Sequence, residues 1–231
     1  MTNADIAFSA RVNNFNRELS FDTPLPENIE VLNPFKNPET FKIASNFYDK
    51  YYGDNNKRKL ILGINPGRLG AGTMGIPFTD SKRLTEKCGI AYEGKLKHEP
   101  SSAFIYEMID SFGGAEKFYS KFYISSVCPL GFVLKDNNGG EKNYNYFDNK
   151  ALLQSVQSFI EWNIQEQITI GCDTDVCHCL GLGKNYKYLA ELNNRKGYFN
   201  KIVPMEHPRF IMQYKAKEKE KYINEYLLKL Q

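Results

Sequence analysis

A glycine-rich segment directly after an apolar run constrains this chain more than any other feature. Leu60-Ile61-Leu62 is typical of a buried strand, which we predict over 59–64. Residues 63–78 then contain five glycines and two prolines. Glycine allows backbone conformations and close approaches that larger residues forbid, and proline interrupts regular structure. We therefore predict a tight loop at the carboxyl end of this strand, where open α/β sheets bind ligands.

Strand-like and helix-like segments alternate along the rest of the chain. Further strands are predicted over 122–127, 167–171 and 201–204, and helices over 4–19, 38–52, 101–112, 150–165, 176–192 and 213–230. The polar segments 79–100 and 135–146 are predicted to be loops. This alternation is typical of a parallel sheet with helices on both faces. The predicted fold class is α/β: a three-layer α/β/α sandwich with a central, mainly parallel four-stranded sheet.

Composition and length limit the classes of protein. No linker divides the 231 residues, so we expect one domain over 1–231, with a helical portion over 1–55 packed on the rest. The chain lacks an apolar run of about 18 residues and a signal-peptide pattern, and its five cysteines are too few for a disulfide scaffold. We expect a cytoplasmic monomer without a membrane partner. The net charge of +3 permits a nucleic-acid partner without requiring one.

Three distinctive segments follow predicted strands. Asn65 begins the glycine-rich loop, Ser126 lies just before Cys128-Pro129-Leu130, and His207-Pro208-Arg209 follows the last strand. The carboxyl ends of parallel strands meet at one edge of a sheet, so we expect these segments to lie close together.

The glycines and cysteines suggest alternative chemistries. Residues 70–75 match G-x-G-x-x-G, but a dinucleotide site needs these glycines directly between strand and helix, and residues 65–69 intervene. Cys128 with His207 is conceivable as a nucleophile pair, although Pro129 favours a packed corner over an exposed thiolate. Both alternatives stay open, and both are weaker than a site built on the loop itself.

Four potential metal ligands cluster late in the chain: Cys172, Cys177, His178 and Cys179. Their spacing matches no closed four-ligand pattern. On the helix predicted over 176–192, adjacent side chains point in different directions and do not converge on one ion. We therefore expect buried structural thiols and no metal or cofactor.

Three segments together resemble a known family. Gly63-Ile64-Asn65-Pro66-Gly67, followed by Gly75-Ile76-Pro77-Phe78, resembles the first motif of the uracil-DNA glycosylase superfamily, most of all its single-strand-selective monofunctional branch. Cys128-Pro129-Leu130 resembles the central segment of that branch, and His207-Pro208 resembles the start of the second motif. The likeness extends over residues 59–210, and the first motif is the most specific part.

The resemblance implies a DNA glycosylase of base-excision repair that hydrolyses the N-glycosidic bond of a deaminated base without a cofactor. The base, in single- or double-stranded DNA, is reached by flipping its nucleotide into a pocket. Asn65 would position the attacking water, and His207 would donate a hydrogen bond to the base as negative charge develops on it. The implied base-binding residues are Gly63, Ile64, Met74, Phe78 and Ser126. The implied DNA-binding residues are Gly67, Arg68, Pro208, Arg209 and Phe210.

Two departures leave the substrate open. Ser126 stands where the branch has a base-reading asparagine, and one hydroxyl discriminates less than an amide. The base is thus uracil or another deaminated base such as a purine, read by Ser126 or by asparagines within 135–145. Arg209-Phe210 follows His-Pro directly and either forms a wedge or contacts phosphate and the following helix.

Other roles stay open beside the enzymatic one. Asn65 fits an Asx turn, Phe78 a core position and His207 a surface position. At the level of the whole chain, the alternatives are a catalytically weak nucleic-acid- or nucleotide-binding protein on the same scaffold and a dinucleotide enzyme.

Overall fold

The computed structural model describes residues 6–136 and 138–231. Two sheets are found in this part of the chain. Their strands are β1 (Ile29–Leu32), β2 (Arg58–Gly63), β3 (Phe122–Ser126), β4 (Gly131–Lys135), β5 (Glu141–Tyr144), β6 (Cys172–Leu180) and β7 (Lys201–Met205). The helices are α1 (Phe8–Glu18), α2 (Pro38–Tyr51), α3 (Ala71–Met74), α4 (Ser81–Glu86), α5 (Pro100–Phe112), α6 (Ala115–Tyr119), α7 (Lys150–Ile170), α8 (Lys184–Lys196), α9 (Pro208–Tyr214) and α10 (Lys219–Lys229).

The central sheet has the strand order β3-β2-β6-β7, and every neighbouring pair is parallel. Its strands carry buried apolar residues on both faces, as expected of a parallel sheet covered by helices. The predicted α/β class and four-stranded parallel sheet are confirmed. In this register Gly63 pairs with Ser126, and Leu180 pairs with Met205. The glycine-rich loop, Ser126 and His207 therefore follow strands that end at one edge.

A second, antiparallel sheet with the order β1-β4-β5 was not predicted. Its strand β5 lies within the segment predicted to be a loop, because Glu141-Lys142-Asn143-Tyr144 lacks apolar alternation and three of its residues are exposed. The backbone partners of β4 hold this polar strand in place. The small sheet brings residues 141–146 to the glycine-rich loop.

Two predicted elements around residue 170 are wrong. Residues 167–170 belong to α7, where Gln167 is buried and donates to Asn163 Oδ1 at 2.9 Å, and Gly171 ends the helix with φ of 118°. Residues 176–180 belong to strand β6 and not to a helix. The exposed polar residues Thr174 and Asp175 interrupt the buried residues of β6 and conceal its strand character.

The predicted helix over 213–230 is also wrong, since α9 and α10 are separate and a 3₁₀ turn, Ala216–Glu218, lies between them. At the other end of the chain, positions 4 and 5 of the predicted first helix lie outside the described residues, and α1 covers most of the remainder. Phe8 of α1 stacks on Tyr52 and meets the ring of Tyr123 on β3 edge-on.

The single domain over 1–231 stays a prediction. None of the described helices has both the length and the apolar character to cross a membrane.

Candidate active site

A cavity of about 310 Å³ opens at the carboxyl edge of the central sheet. Its lining joins the glycine-rich loop, the end of β3, the start of α5, residues 143–145 and α9. The lining residues that carry the argument are Gly63, Asn65, Phe78, Ser126, Asn145 and His207. The predicted convergence of three separate segments is therefore present in the structure.

The side-chain amide of Asn65 is fixed by backbone groups at the end of β5. Its Oδ1 accepts from the N–H of Tyr146 at 3.1 Å, and its Nδ2 donates to the carbonyl of Tyr144 at 3.2 Å. These two bonds also determine which end of the amide is oxygen. Because a carbonyl-type oxygen has two lone pairs, Oδ1 retains one acceptor site beyond Tyr146. Asn65 can thus hold a water molecule in a fixed direction.

The imidazole of His207 caps α9. Its Nδ1 accepts from the N–H of Arg209 at 3.1 Å, so the neutral ring carries its proton on Nε2. Burial lowers the pKa of His207 to about 4, and the positive charge of Arg209 acts in the same direction. His207 is therefore uncharged at neutral pH and has one N–H donor outside the cap.

Phe78 forms an apolar wall beside His207. The two ring centroids lie 5.9 Å apart at an angle of 55°. The Phe78 ring also lies over Gly63, where an added Cβ would meet its Cε2 at 3.2 Å. Phe78 has φ of 52°, a left-handed conformation that costs residues other than glycine about 1–2 kcal/mol. The ring is thus held in an unfavourable backbone conformation facing the cavity.

Three more polar side chains face the same space. Ser126 is buried at the end of β3, while its carbonyl accepts from Asn163 Nδ2 at 3.0 Å. Asn143 Oδ1 accepts from the N–H of Arg68 at 2.8 Å and so ties β5 to the glycine-rich loop. The amide of Asn145 has no hydrogen-bond partner among the described residues, although it lines the cavity. Asn145 is therefore free to bind a ligand.

Buried amides hold the sheet edge beneath the cavity. Asn185 on α8 donates to the carbonyls of Leu180 at 3.0 Å and Gly63 at 3.4 Å, and it accepts from the hydroxyl of Tyr146 at 2.8 Å. Asn163 on α7 donates to the carbonyls of Ser126 and Val127, both at 3.0 Å. The loops at the site are thus bonded to the helices behind them.

The alternative chemistries lack the geometry they need. Residues 64–70 separate β2 from α3, a helix of four residues, so the glycines do not open a long helix directly after the strand. Cys128 is fully buried outside the cavity lining, and burial raises the pKa of its thiol to about 12. All five cysteines are free and buried, and no cluster of metal ligands occurs within residues 6–136 and 138–231.

Comparison with known proteins agrees with this geometry. A model of the uracil DNA glycosylase superfamily matches residues 50–231 of the chain, which include every segment of the cavity. The chain belongs to the uracil DNA glycosylase superfamily. It is similar to the crystal structure of wild-type Pedobacter heparinus SMUG2, with 56% identity over 96% of both chains and a TM-score of 0.94. No curated protein matched the chain.

Within this superfamily member, most of the predicted site residues line the cavity: Gly63, Ile64, Asn65, Gly67, Phe78, Ser126, His207, Arg209 and Phe210. Three do not belong to the lining. Met74 is buried outside the lining, Pro208 is buried in the first turn of α9, and Arg68 also lies outside the lining.

Sequence reasoning missed Glu99 and Ser101 at the start of α5, and Gln213 and Tyr214 at the end of α9. Burial raises the pKa of the Glu99 carboxyl, and the nearby Asp80 adds to this effect. None of these four residues belongs to a recognisable sequence motif. The one available signal was the predicted start of a helix near residue 101, because a helix that follows a parallel strand begins at the carboxyl edge of the sheet.

Proposed function

We propose that the protein is a monofunctional DNA glycosylase that hydrolyses the N-glycosidic bond between deoxyribose and a deaminated base. Membership in the uracil DNA glycosylase superfamily supports the general activity. For this chain the proposal rests on two side chains that line one cavity and are held in fixed orientations. Asn65 offers an oriented oxygen acceptor and His207 offers a neutral N–H donor.

Asn65 acts on the attacking water. An amide is a poor base, so its contribution is to hold the water by hydrogen bonding while the glycosidic bond breaks. As the bond breaks, the sugar acquires oxocarbenium character and becomes a strong electrophile. A weakly activated water then suffices as nucleophile. The fixed amide orientation matters because a flipped amide would present N–H donors in place of the acceptor.

His207 acts on the leaving base. The base departs with negative charge that its carbonyl oxygens share, and an N–H donor directed at such an oxygen stabilises the transition state more than the ground state. The lowered pKa of His207 keeps the ring neutral, so its N–H donates without a positive charge that would have to be desolvated in the closed site. Phe78 supplies a face on which the base stacks.

The identity of the base depends on Ser126 and Asn145. A hydroxyl donates and accepts through one oxygen atom, whereas an amide presents a donor atom and an acceptor atom side by side along a base edge. The branch that the chain resembles has a base-reading asparagine at the position of Ser126. In this chain Asn145 supplies an amide to the same cavity from a different segment. We therefore infer that Asn145 takes part in reading the base, and that deaminated purines are substrates along with uracil.

The proposed reaction ends at an abasic site. An intrinsic lyase step requires an amine that forms a Schiff base with the sugar. The described residues that line the cavity include no lysine. The abasic strand is thus expected to stay intact until another agent cleaves it.

The test is an excision assay on single- and double-stranded oligonucleotides that carry uracil, hypoxanthine or xanthine, followed by alkaline cleavage of abasic sites. We expect alkali-dependent strand scission with at least one base. Asn65→Ala should reduce the single-turnover rate by about 10²–10³-fold, while Asn200→Ala, at an exposed position before β7, should not change it. Tight DNA binding without scission at any base would favour the binding-protein alternative.

A further inference from the structure

A second cavity adjoins the base cavity and is about twice as large, 660 Å³ against 310 Å³. We call it the flanking groove, and its walls are Leu69, residues 95–101, Asn143, Arg209, Met212 and Gln213. Glu99, Ser101, Asn143, Arg209 and Gln213 line both cavities. A chain that leaves the base cavity past these residues enters the groove directly.

Two leucines on separate segments are exposed in the flanking groove. Leu69 of the glycine-rich loop is 53% exposed, and Leu96 is 46% exposed. A single exposed leucine needs no explanation, but two that line one groove offer apolar surface that a ligand can cover. Met212 on α9 adds a half-buried apolar side chain to the same lining.

The wall that carries Leu96 is anchored at defined points. The N–H of Lys97 donates to Ser81 Oγ at 2.8 Å, and the N–H of Glu99 donates to Asp80 Oδ2 at 2.7 Å. Both acceptors are buried residues at the start of α4. The segment is therefore fixed at positions 97 and 99, and the groove is formed before any ligand arrives.

The charges of the flanking groove favour an anion. Lys95, Lys97 and Arg209 line it, and none of their side chains has a hydrogen-bond or ion-pair partner among the described residues. Glu99 is the only carboxylate of the lining within the same residues; burial raises its pKa, and the positive charge of Arg209 acts in the opposite direction. The two lysines beside exposed leucines match a ligand with an anionic backbone and flat apolar groups.

We propose that the flanking groove binds nucleotides next to the flipped one on the same strand, with their bases on Leu69 and Leu96 and their phosphates on Lys95 and Lys97. This inference rests on the proposed function, because the flipped base in the first cavity determines where the strand continues. Bases are available to the leucines only where they are unpaired and unstacked. The groove therefore receives the strand on one side of the lesion as a single strand.

The first experiment measures kcat/KM on single strands that have nucleotides on both sides of the damaged base, on its 5′ side only or on its 3′ side only. With the wild-type protein, removal of one particular flank should lower kcat/KM by about tenfold. The double variant Leu69→Ser, Leu96→Ser should show the same lowered kcat/KM on the full substrate. Removal of that flank should not lower its kcat/KM further.

The second experiment needs no catalysis. It measures the affinity for an undamaged single strand of about twelve nucleotides, a length typical of single-strand sites, at several salt concentrations. The leucine variant should raise Kd about tenfold and leave the salt dependence unchanged. The variant Lys95→Gln, Lys97→Gln should reduce the slope of log Kd against log salt by about 0.7 for each lost phosphate contact.

Matched controls lie at the opposite edge of the sheet. Leu228→Ser changes a leucine that is 68% exposed near the end of α10, and Lys57→Gln changes an exposed lysine just before β2. Neither control should alter Kd, flank dependence or salt slope. Equal flank dependence in the wild type and the leucine variant, or an unchanged Kd for both groove variants, would overturn the proposal. A wild type that binds through the groove but excises no base would refute the proposed function alone.

Discussion

Replacement of His207 by asparagine separates the two interactions of its imidazole ring. The Nδ1 atom caps α9 by accepting from the N–H of Arg209 at 3.1 Å, and the Nε2–H is the proposed donor to the leaving base. Asparagine is among the best N-cap residues, because its Oδ1 reaches the same backbone N–H. His207→Asn therefore keeps the cap and removes the Nε2–H, because the shorter amide places its own N–H₂ nearer the backbone and away from the position of Nε2. His207→Ala removes both the cap and the donor.

The expected magnitudes follow from these two interactions. Removal of one donor to a developing anion lowers a rate by about 10²–10³-fold, or about 2.7–4 kcal/mol in activation free energy. Loss of an N-cap costs about 1 kcal/mol of stability, which corresponds to about 2–4 °C in Tm for a chain of this length. Both variants should show the same fall in the single-turnover excision rate. Only His207→Ala should also melt at a lower temperature.

The assay is single-turnover excision at saturating enzyme on the best substrate of the base panel, with Tm measured by circular dichroism. Saturation removes differences in DNA affinity, so the rate reports the chemical step. A rate for His207→Asn within about threefold of the wild type would refute the reasoning. In that case the ring would matter for the position of α9 and not as a donor.

Four further predictions rest on single features of the site. Because the pKa of His207 is about 4, the single-turnover rate should be constant from about pH 5.5 to 8 and fall only in more acidic buffer; a drop centred near pH 6.5 would contradict the neutral-donor mechanism. The native state resists protonation of His207 and the unfolded chain does not, so the free energy of unfolding should fall between about pH 6.5 and 4, and urea titrations should show a smaller fall in His207→Asn. Ser126→Asn should shift the ratio of excision rates toward uracil over hypoxanthine, since it restores an amide at the end of β3; an unchanged ratio would exclude position 126 from base recognition. Gly72→Ala should lower both Tm and the excision rate, because the added Cβ would lie 2.7 Å from the carbonyl oxygen of Gly67, and overpacking of this kind costs about 1–3 kcal/mol.

Three strands of the central sheet, β2, β3 and β7, were predictable from sequence because strong local signals mark them. Leu60-Ile61-Leu62 and the apolar residues of β3 are buried on both faces, and each strand ends at a glycine- or proline-containing turn. Once a parallel arrangement of the strands is inferred, the proximity of Asn65, Ser126 and His207 follows from the topology. The site could therefore be predicted before any distance was known.

Other parts had no local signal. Strand β6 was concealed by its exposed polar residues, and β5 contains no alternating apolar residues. Strand β6 exists because β2 and β7, far away in sequence, supply its backbone hydrogen bonds. Strand β5 exists because the preceding strand β4 supplies its hydrogen bonds, and β4 in turn pairs with the distant β1. For the same reason Glu99 and Asn145 could not be assigned with certainty to the site. Their positions depend on contacts of α5 and β5 that no short window of sequence contains.

The small sheet makes a last prediction about the glycine-rich loop. Asn143 on β5 holds that loop through one bond, from the N–H of Arg68 to its Oδ1 at 2.8 Å. Because Asn65 also depends on the neighbouring backbone of Tyr144, loss of the Asn143 bond should loosen the water-positioning side of the site. A net hydrogen bond of about 0.5–1.5 kcal/mol predicts that Asn143→Ala lowers the saturated single-turnover rate by about 2–10-fold.

Asn143→Asp distinguishes a loop anchor from a base reader. Aspartate keeps the oxygen acceptor for the N–H of Arg68 and has no N–H of its own to offer a base. If Asn143 acts as an anchor, the aspartate variant should regain most of the saturated rate that alanine loses, while its Kd for DNA rises because of the added negative charge. If the saturated rate of the aspartate variant is as low as that of alanine, the amide N–H₂ is what the reaction uses. Asn143 would then belong with Asn145 among the groups that contact the base, and the glycine-rich loop would not need β5 to keep its shape.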